Sequence, residues 1–192
     1  AYFCPWSITN HNYHSMQMKN WFKLTIPHIV AVVIFMTLSV IYFYPILEGK
    51  VINANDSTVA MQSSKEIADF RAEYGEEPLW TNSMFSGMPA YLISVLYKGN
   101  IVKYANSLLA LLKHPASIIF MSMLGFYILL LLFKADKWLA IAGALAYGFS
   151  TYSFFILAAG HNTKALAIAY MAPMIGGIYY CYRRNAIKGA II

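Results

Sequence analysis

Charge is scarce in this chain. Only 11% of its 192 residues are Asp, Glu, Lys or Arg, while 59% are hydrophobic and 16% aromatic. Soluble domains carry about a quarter charged residues. So few charges cannot clothe the surface of a water-soluble fold, and a disordered chain needs the opposite balance of low hydrophobicity and high net charge. Both classes are excluded. Cysteine is nearly missing too: Cys4 and Cys181 build neither a disulfide framework nor a metal cage. Carboxylates are the scarcer sign, eight Asp and Glu against fourteen Lys and Arg, for a formal net charge of +6. The bases lie scattered between apolar runs, with no basic patch or basic helix face, which argues against nucleic acid as a partner. The remaining partner for such a surface is the lipid bilayer.

What is present is length of apolar sequence. About 20 such residues cross the hydrocarbon core. Four stretches qualify: IVAVVIFMTLSVIYFYPIL, with His28 ahead of it as the one ionisable group between Lys23 and Glu48; HPASIIFMSMLGFYILLLLF; WLAIAGALAYGFSTYSFFILAAGHNT; and ALAIAYMAPMIGGIYYCY, interrupted by Pro173. They predict helices over about 25–47, 114–133, 138–160 and 165–182, with a fifth span entered near 187–192. Backbone groups in lipid must pair internally, so helices or closed barrels are the choices, and no alternating ten-residue strands are visible. The expected fold class is an all-α polytopic membrane protein. The first apolar run is too long for a signal peptide, and no small-residue cleavage site follows Leu47.

The bases orient the spans. With a cytoplasmic N-terminus, Lys19, Lys23, Lys134, Lys137, Arg183, Arg184 and Lys188 lie inside, opposed by Asp136 alone; outside, seven bases meet seven acids. Two ends stand apart. Residues 1–17 precede MKNWFK, which looks like a bacterial N-terminus, and read as upstream or leader sequence. Residues 18–192 read as the front part of a longer membrane domain.

Residues 48–113 form a long extracytoplasmic loop. STVAMQSSKEIADFRAEYG predicts a helix capped by Asp56 or Ser57, with Ile67, Phe70 and Tyr74 on one face. EEPLWTNSMFSGMPAY is rich in turn residues. IVKYANSLLALLK sets Ile101, Tyr104, Ala105, Leu108 and Leu112 on one stripe, as in an interfacial helix or an ordinary packing helix. Small residues Ala142, Gly143, Ala146, Gly176 and Gly177 predict close helix packing.

Three clusters carry candidate chemistry. Asp56, nine residues beyond the first span, is a carboxylate at the membrane surface, able to orient or deprotonate a hydroxyl; its bland alternative is a helix cap. In GHNTK, His161, Asn162 and Lys164 suit a phosphate or pyrophosphate headgroup, against a snorkelling lysine beside a loop histidine. Glu76, Glu77, Trp80 and Asn82 resemble a sugar-stacking site, with an aromatic membrane belt as the alternative. A lone histidine without nearby cysteines argues against structural zinc, and no nucleophile elbow, P-loop or dinucleotide fingerprint occurs.

The order of these parts, above all PLWTNSMFSGMPAY, GALAYGFSTY and AGHNTKALAIAYMAPM, resembles the YfhO family of bacterial membrane proteins, of the Bacteroidetes type, over about residues 18–192. The resemblance implies the N-terminal part of a C-type (GT-C-like) membrane glycosyltransferase bundle in the bacterial inner membrane. It implies a sugar donor carried on polyprenyl phosphate and a cell-envelope glycopolymer or lipid as acceptor. It places the catalytic carboxylate at Asp56, with Asp69 as another acid of the same loop, and the donor phosphate against His161, Asn162 and Lys164; Glu77, Trp80 and Asn82 would contact substrate. No cofactor is implied: a divalent metal fits the chemistry, but no ligand set calls for one. The alternative is a non-catalytic envelope-assembly or transport-related membrane protein.

The charge partition makes a prediction. A cysteine introduced at Ser63 is labelled from outside intact cells, and one at Asp136 is not; external labelling at 136 overturns the topology.

Overall fold

The computed structural model describes residues 6–50, 52, 54–97, 99, 100, 104, 107 and 112–192, with side chains from Leu24 onward. The helix α1 (Trp6–Tyr42) bends at Phe43 into the short α2 (Tyr44–Leu47). The long loop contains α3 (Asn55–Ser63), α4 (Lys65–Tyr74), a two-stranded antiparallel ribbon of β1 (Trp80–Thr81) and β2 (Met88–Pro89), and a 3₁₀ turn at Ala90–Leu92. Then come α5 (Ala116–Leu132), α6 (Lys137–Gly148), α7 (Thr151–Ala159), α8 (Asn162–Arg183) and α9 (Ala186–Ile191). The protein is mostly helical, and three stretches are long and apolar enough to cross a membrane: Leu24–Tyr42, Lys137–Ala159 and Asn162–Arg183.

The second expected span, 114–133, is shorter than the others. Pro115 stands as N-cap and His114 in a turn, so α5 has 17 residues, about 25 Å at 1.5 Å per residue. It is apolar on all faces, and its residues from Ala116 to Met123 are all buried. A helix of that character must be enclosed, and α1, α6 and α8 pack around it. Two further boundaries differ from the sequence reading. The expected 138–160 span is two helices, because Phe149 and Ser150 leave helical geometry, with Ser150 standing at the N-cap position of α7. The expected 165–182 span begins earlier, at Asn162, because the turn at Gly160 releases the chain directly into α8.

Rings hold the lobe-side ends together. Tyr42 stacks on Phe154 at 4.5 Å and meets Phe149 edge-on at 5.9 Å, while Phe43 lies 6.4 Å from Phe154. The bend of the first span is thereby fastened to the break in the third. Deeper in, His28 Nδ1 lies 2.8 Å from the Tyr127 hydroxyl, so the one ionisable group of the first span is hydrogen-bonded.

Glycine sets the closest approach. Pro173 has no N–H for the Ala169 carbonyl four residues earlier. A Cβ on Gly125 would stand 2.9 Å from that carbonyl oxygen and 2.8 Å from Pro173 Cδ. Gly176 faces Leu132, and Gly177 faces the backbone of Gly189 in α9. Of the other small residues expected to pack, Gly143 meets Leu130, but Ala142 and Ala146 are exposed; they lie on the face of α6 turned away from α5.

The long loop is an organised lobe. The Glu66 carboxylate accepts from Thr81 Oγ1 at 2.8 Å and from Asn82 N at 3.0 Å, and Ser83 Oγ donates to Ser63 O. Ile67 and Thr81 are fully buried between these elements. The single helix expected over this segment breaks at Ser64 into α3 and α4. Phe70 and Tyr74 share a face and touch at 4.6 Å, yet remain exposed. The proposed interfacial stripe at 101–112 falls mostly outside the described residues.

Substitution separates rigid from yielding contacts. Gly125→Ala gains helix propensity of about 1 kcal/mol but drives a methyl into proline ring and backbone. Overpacking of that kind costs about 1–3 kcal/mol, so thermal unfolding in detergent should occur at lower temperature. Gly143→Ala meets only the end of a Leu130 side chain and should be near neutral.

Candidate functional site

The loop and the bundle meet at Gly160. Residue 160 ends α7 at φ +94°, with Gly160 N donating to Leu157 O and His161 N to Ile156 O. This is the paired bonding of a Schellman turn, where glycine avoids the penalty of a left-handed backbone. Space requires it as well: a Cβ would stand 2.9 Å from Ala54 Cβ and 2.9 Å from Ser57 Oγ. The start of α3 therefore rests directly on the turn that opens α8.

That contact brings two predicted residues together. Asp56, in the first turn of α3, places Oδ2 3.1 Å from Nδ1 of His161, the N-cap of α8. The capping role considered for Asp56 or Ser57 is not found: Ala54 is the N-cap and makes no side-chain bond. Both partners are about half exposed, at 53% and 50%. An exposed pair of this kind adds at most about 1 kcal/mol to stability, so its consequence is positional. A carboxylate oxygen accepts, so the contact turns Nδ1 of the imidazole toward Asp56.

Beside the pair lies a cavity of about 220 Å³, lined by Lys50, Ser57, His114 and Asn162 over a floor that includes Ile46 and Leu157. Residues from the starts of α3, α5 and α8 surround it, and none of the three N-caps makes a side-chain capping bond. Helix N-termini carry partial positive charge and unpaired N–H groups, so they reinforce Lys50 and His114 in favouring an anion. Lys50 is paired at 2.8 Å with Glu48, but both are exposed, and such a pair exchanges readily. Typical small-molecule pockets measure about 300–1,000 Å³. This one suits a headgroup fragment such as a phosphate rather than a whole lipid-linked sugar.

The remaining expected residues lie elsewhere. Asn162 lines the cavity, but the Lys164 ammonium sits 5.4 Å from the centroid of the Tyr152 ring, a cation–π arrangement, and Lys164 is not among the lining residues. Glu77 is engaged by Arg71, whose Nε lies 2.8 Å from Oε1 and whose Nη2 donates to Oε2 at 2.8 Å. Trp80 covers Gly87, and Asn82 uses its backbone N–H on Glu66. These residues hold the lobe near the C-terminal end of α3. Seven residues at 1.5 Å each separate Ser63 from Asp56, about 10 Å, so the lobe cluster and the Asp56 pair form two places. Asp69 and Glu76 are exposed. Among the described residues no three His, Cys, Asp or Glu side chains gather as a metal would require.

Sequence reading missed Lys50, His114 and Ser57. Each flanks a motif that was noticed, at the end of the first span, before Pro115 and beside Asp56, but only the fold gathers them. No family model, no curated protein and no solved structure matches the chain.

Gly160→Ala should open this junction. The left-handed backbone costs an alanine about 1 kcal/mol, and the methyl displaces residues 54–57. Hydrogen exchange should speed up at the amides of 54–58 and stay unchanged in α5; equal exchange at 54–58 would show that the contact is dispensable.

Proposed function

We propose that the protein takes part in sugar transfer at the outer membrane face, from a polyprenyl-phosphate carrier to an envelope acceptor, in the manner its resemblance to YfhO-type, GT-C-like proteins implies. The observation that carries this reading is the placement of Asp56 and His161 3.1 Å apart beside a small cavity bearing Lys50, His114 and Asn162. The reaction breaks the bond between the anomeric carbon and the carrier phosphate, and forms one to an acceptor hydroxyl. It needs a base for the hydroxyl proton and positive charge for the departing phosphate. Asp56, with His161 oriented against it, supplies the first. Lys50, His114 and Asn162, supported by the helix N-termini, supply the second. In this reading the phosphate contact first assigned to Lys164 moves to Lys50.

The break at Phe149–Ser150 is the feature a transporter would use, since transport sites sit at discontinuous helices. No Asp, Glu, Lys or Arg lies between Lys137 and Lys164, however, and a charged relay at that depth is what such a site employs.

Asp56→Asn tests the assignment. Asparagine can still accept from His161 but cannot take a proton, so transfer from a polyprenyl-phosphate sugar in proteoliposomes should fall by orders of magnitude with folding intact. Wild-type activity would remove Asp56 from the mechanism. Lys50→Gln and Asn162→Ala should raise the donor KM about tenfold or more, the scale of a lost charge-assisted contact. Lys164→Gln should change it less.

A further inference from the structure

The opposite end of the bundle holds a second cavity, with different chemistry. It encloses about 460 Å³ between the C-terminal ends of α5 and α8, and its lining includes Lys134, Arg183 and Arg184 together with Tyr179 and Tyr180. Because α3 and the outer lobe rest on the start of α8, and α5 begins where that loop ends, this cavity faces the other side of the membrane from the lobe.

Its charge is not neutralised. No carboxylate lines it, and among the described residues none stands within ion-pairing distance of Lys134, Arg183 or Arg184. Asp136, the nearest acid in the chain, is occupied as the N-cap of α6, accepting from Trp138 N at 3.0 Å and Leu139 N at 3.3 Å. The simple explanation of cations here is that they offset helix dipoles. Two helix C-termini contribute about half a negative charge each, so three full positive charges leave roughly two in excess.

The backbone carries a second, independent sign. Lys134 has φ +63°, with Lys134 N bonded to Leu131 O and Ala135 N to Leu130 O. This is the same Schellman turn that Gly160 makes at the end of α7. A position that favours glycine is here occupied by lysine, at a conformational cost of about 1 kcal/mol. The cost is unnecessary for ending the helix, but the turn leaves Lys134 in the lining of the cavity.

We infer that this cavity binds the phosphate of an anionic phospholipid in the leaflet opposite the outer lobe. Depth selects the lipid over a soluble anion: Arg183 is the last residue of the apolar Asn162–Arg183 stretch, and Leu131 and Leu132 line the cavity beside the cations. A phosphodiester meets the guanidinium forks of Arg183 and Arg184 as hydrogen-bond donors, and Tyr179 and Tyr180 sit at the level where aromatic residues border the headgroups. Basic pockets between helix ends are a recognised form of lipid headgroup site.

The test uses the full chain in mixed-lipid nanodiscs, reading the lipid retained on extraction by native mass spectrometry. Phosphatidylglycerol should be retained about tenfold over phosphatidylcholine. Lys134→Gly is the informative variant, because it relieves the left-handed lysine and should leave thermal stability equal or higher while reducing that preference severalfold. Arg184→Gln should reduce it likewise, and Lys188→Gln, a basic residue of the same end outside the cavity, should not. Equal retention of the two lipids by the wild type overturns the inference. So does a preference that survives Lys134→Gly and Arg184→Gln together, or displacement of the lipid by millimolar inorganic phosphate.

Discussion

Helix α5 is apolar on every side, and the rest of the bundle is arranged around the need to enclose it. Enclosure demands close approach, which explains why glycine stands at 125 and 176 against Pro173 and Leu132. Pro173 breaks its own helical hydrogen bond, yet the resulting shape accepts α5. A proline that would disrupt an isolated helix is tolerated because the neighbour fills the space it creates. The ends of the enclosing helices then gather at two levels. The starts of α3, α5 and α8 collect on the side of the lobe, and the ends of α5 and α8 on the other.

That segregation gives the two ends opposite electrostatic requirements. At the lobe end, uncapped N-termini, Lys50 and His114 surround a small cavity, with Asp56 beside it paired to His161. At the other end, helix C-termini invite cations, and the chain supplies more of them than the dipoles need. Both places favour an anion, but for different reasons: one combines backbone N–H groups with side chains, while the other depends on side-chain charge alone. The two Schellman turns make the contrast concrete. Glycine at 160 leaves room for α3 to approach, and lysine at 134 accepts a conformational penalty to place a charge.

Much of this was legible in the amino-acid order. The apolar runs located the helices because the bilayer permits few other ways to pair a backbone. The charged, turn-rich segment at 48–113 stood out as a separate loop, and Ile67 was placed with Phe70 and Tyr74 on one helix face, of which only Ile67 is buried. Asp56 and His161 were both singled out, more than a hundred positions apart. Other features resisted reading. The break at Phe149–Ser150 follows a lone Gly148 inside one continuous apolar run, and Tyr42 and Phe43 pack their rings against it. Glu77 and Trp80 looked like a sugar site because carboxylate and aromatic side chains serve that chemistry, but Arg71 and Gly87 claim them for holding the lobe.

The sequence by itself determined the apolar character of the long helices, the mostly helical backbone and the separation of a charged lobe from them. Those follow from composition and periodicity, which act locally and need no knowledge of neighbours. Only the tertiary structure decided which polar groups share a place. Asp56 meets His161 because a left-handed glycine lets α3 settle on the start of α8, and Lys50, Ser57, His114 and Asn162 line one cavity because three helices begin at the same level. Side-chain distances across a bundle depend on helix length, crossing and the smallest residues at each contact, and none of these is written in the spacing along the chain.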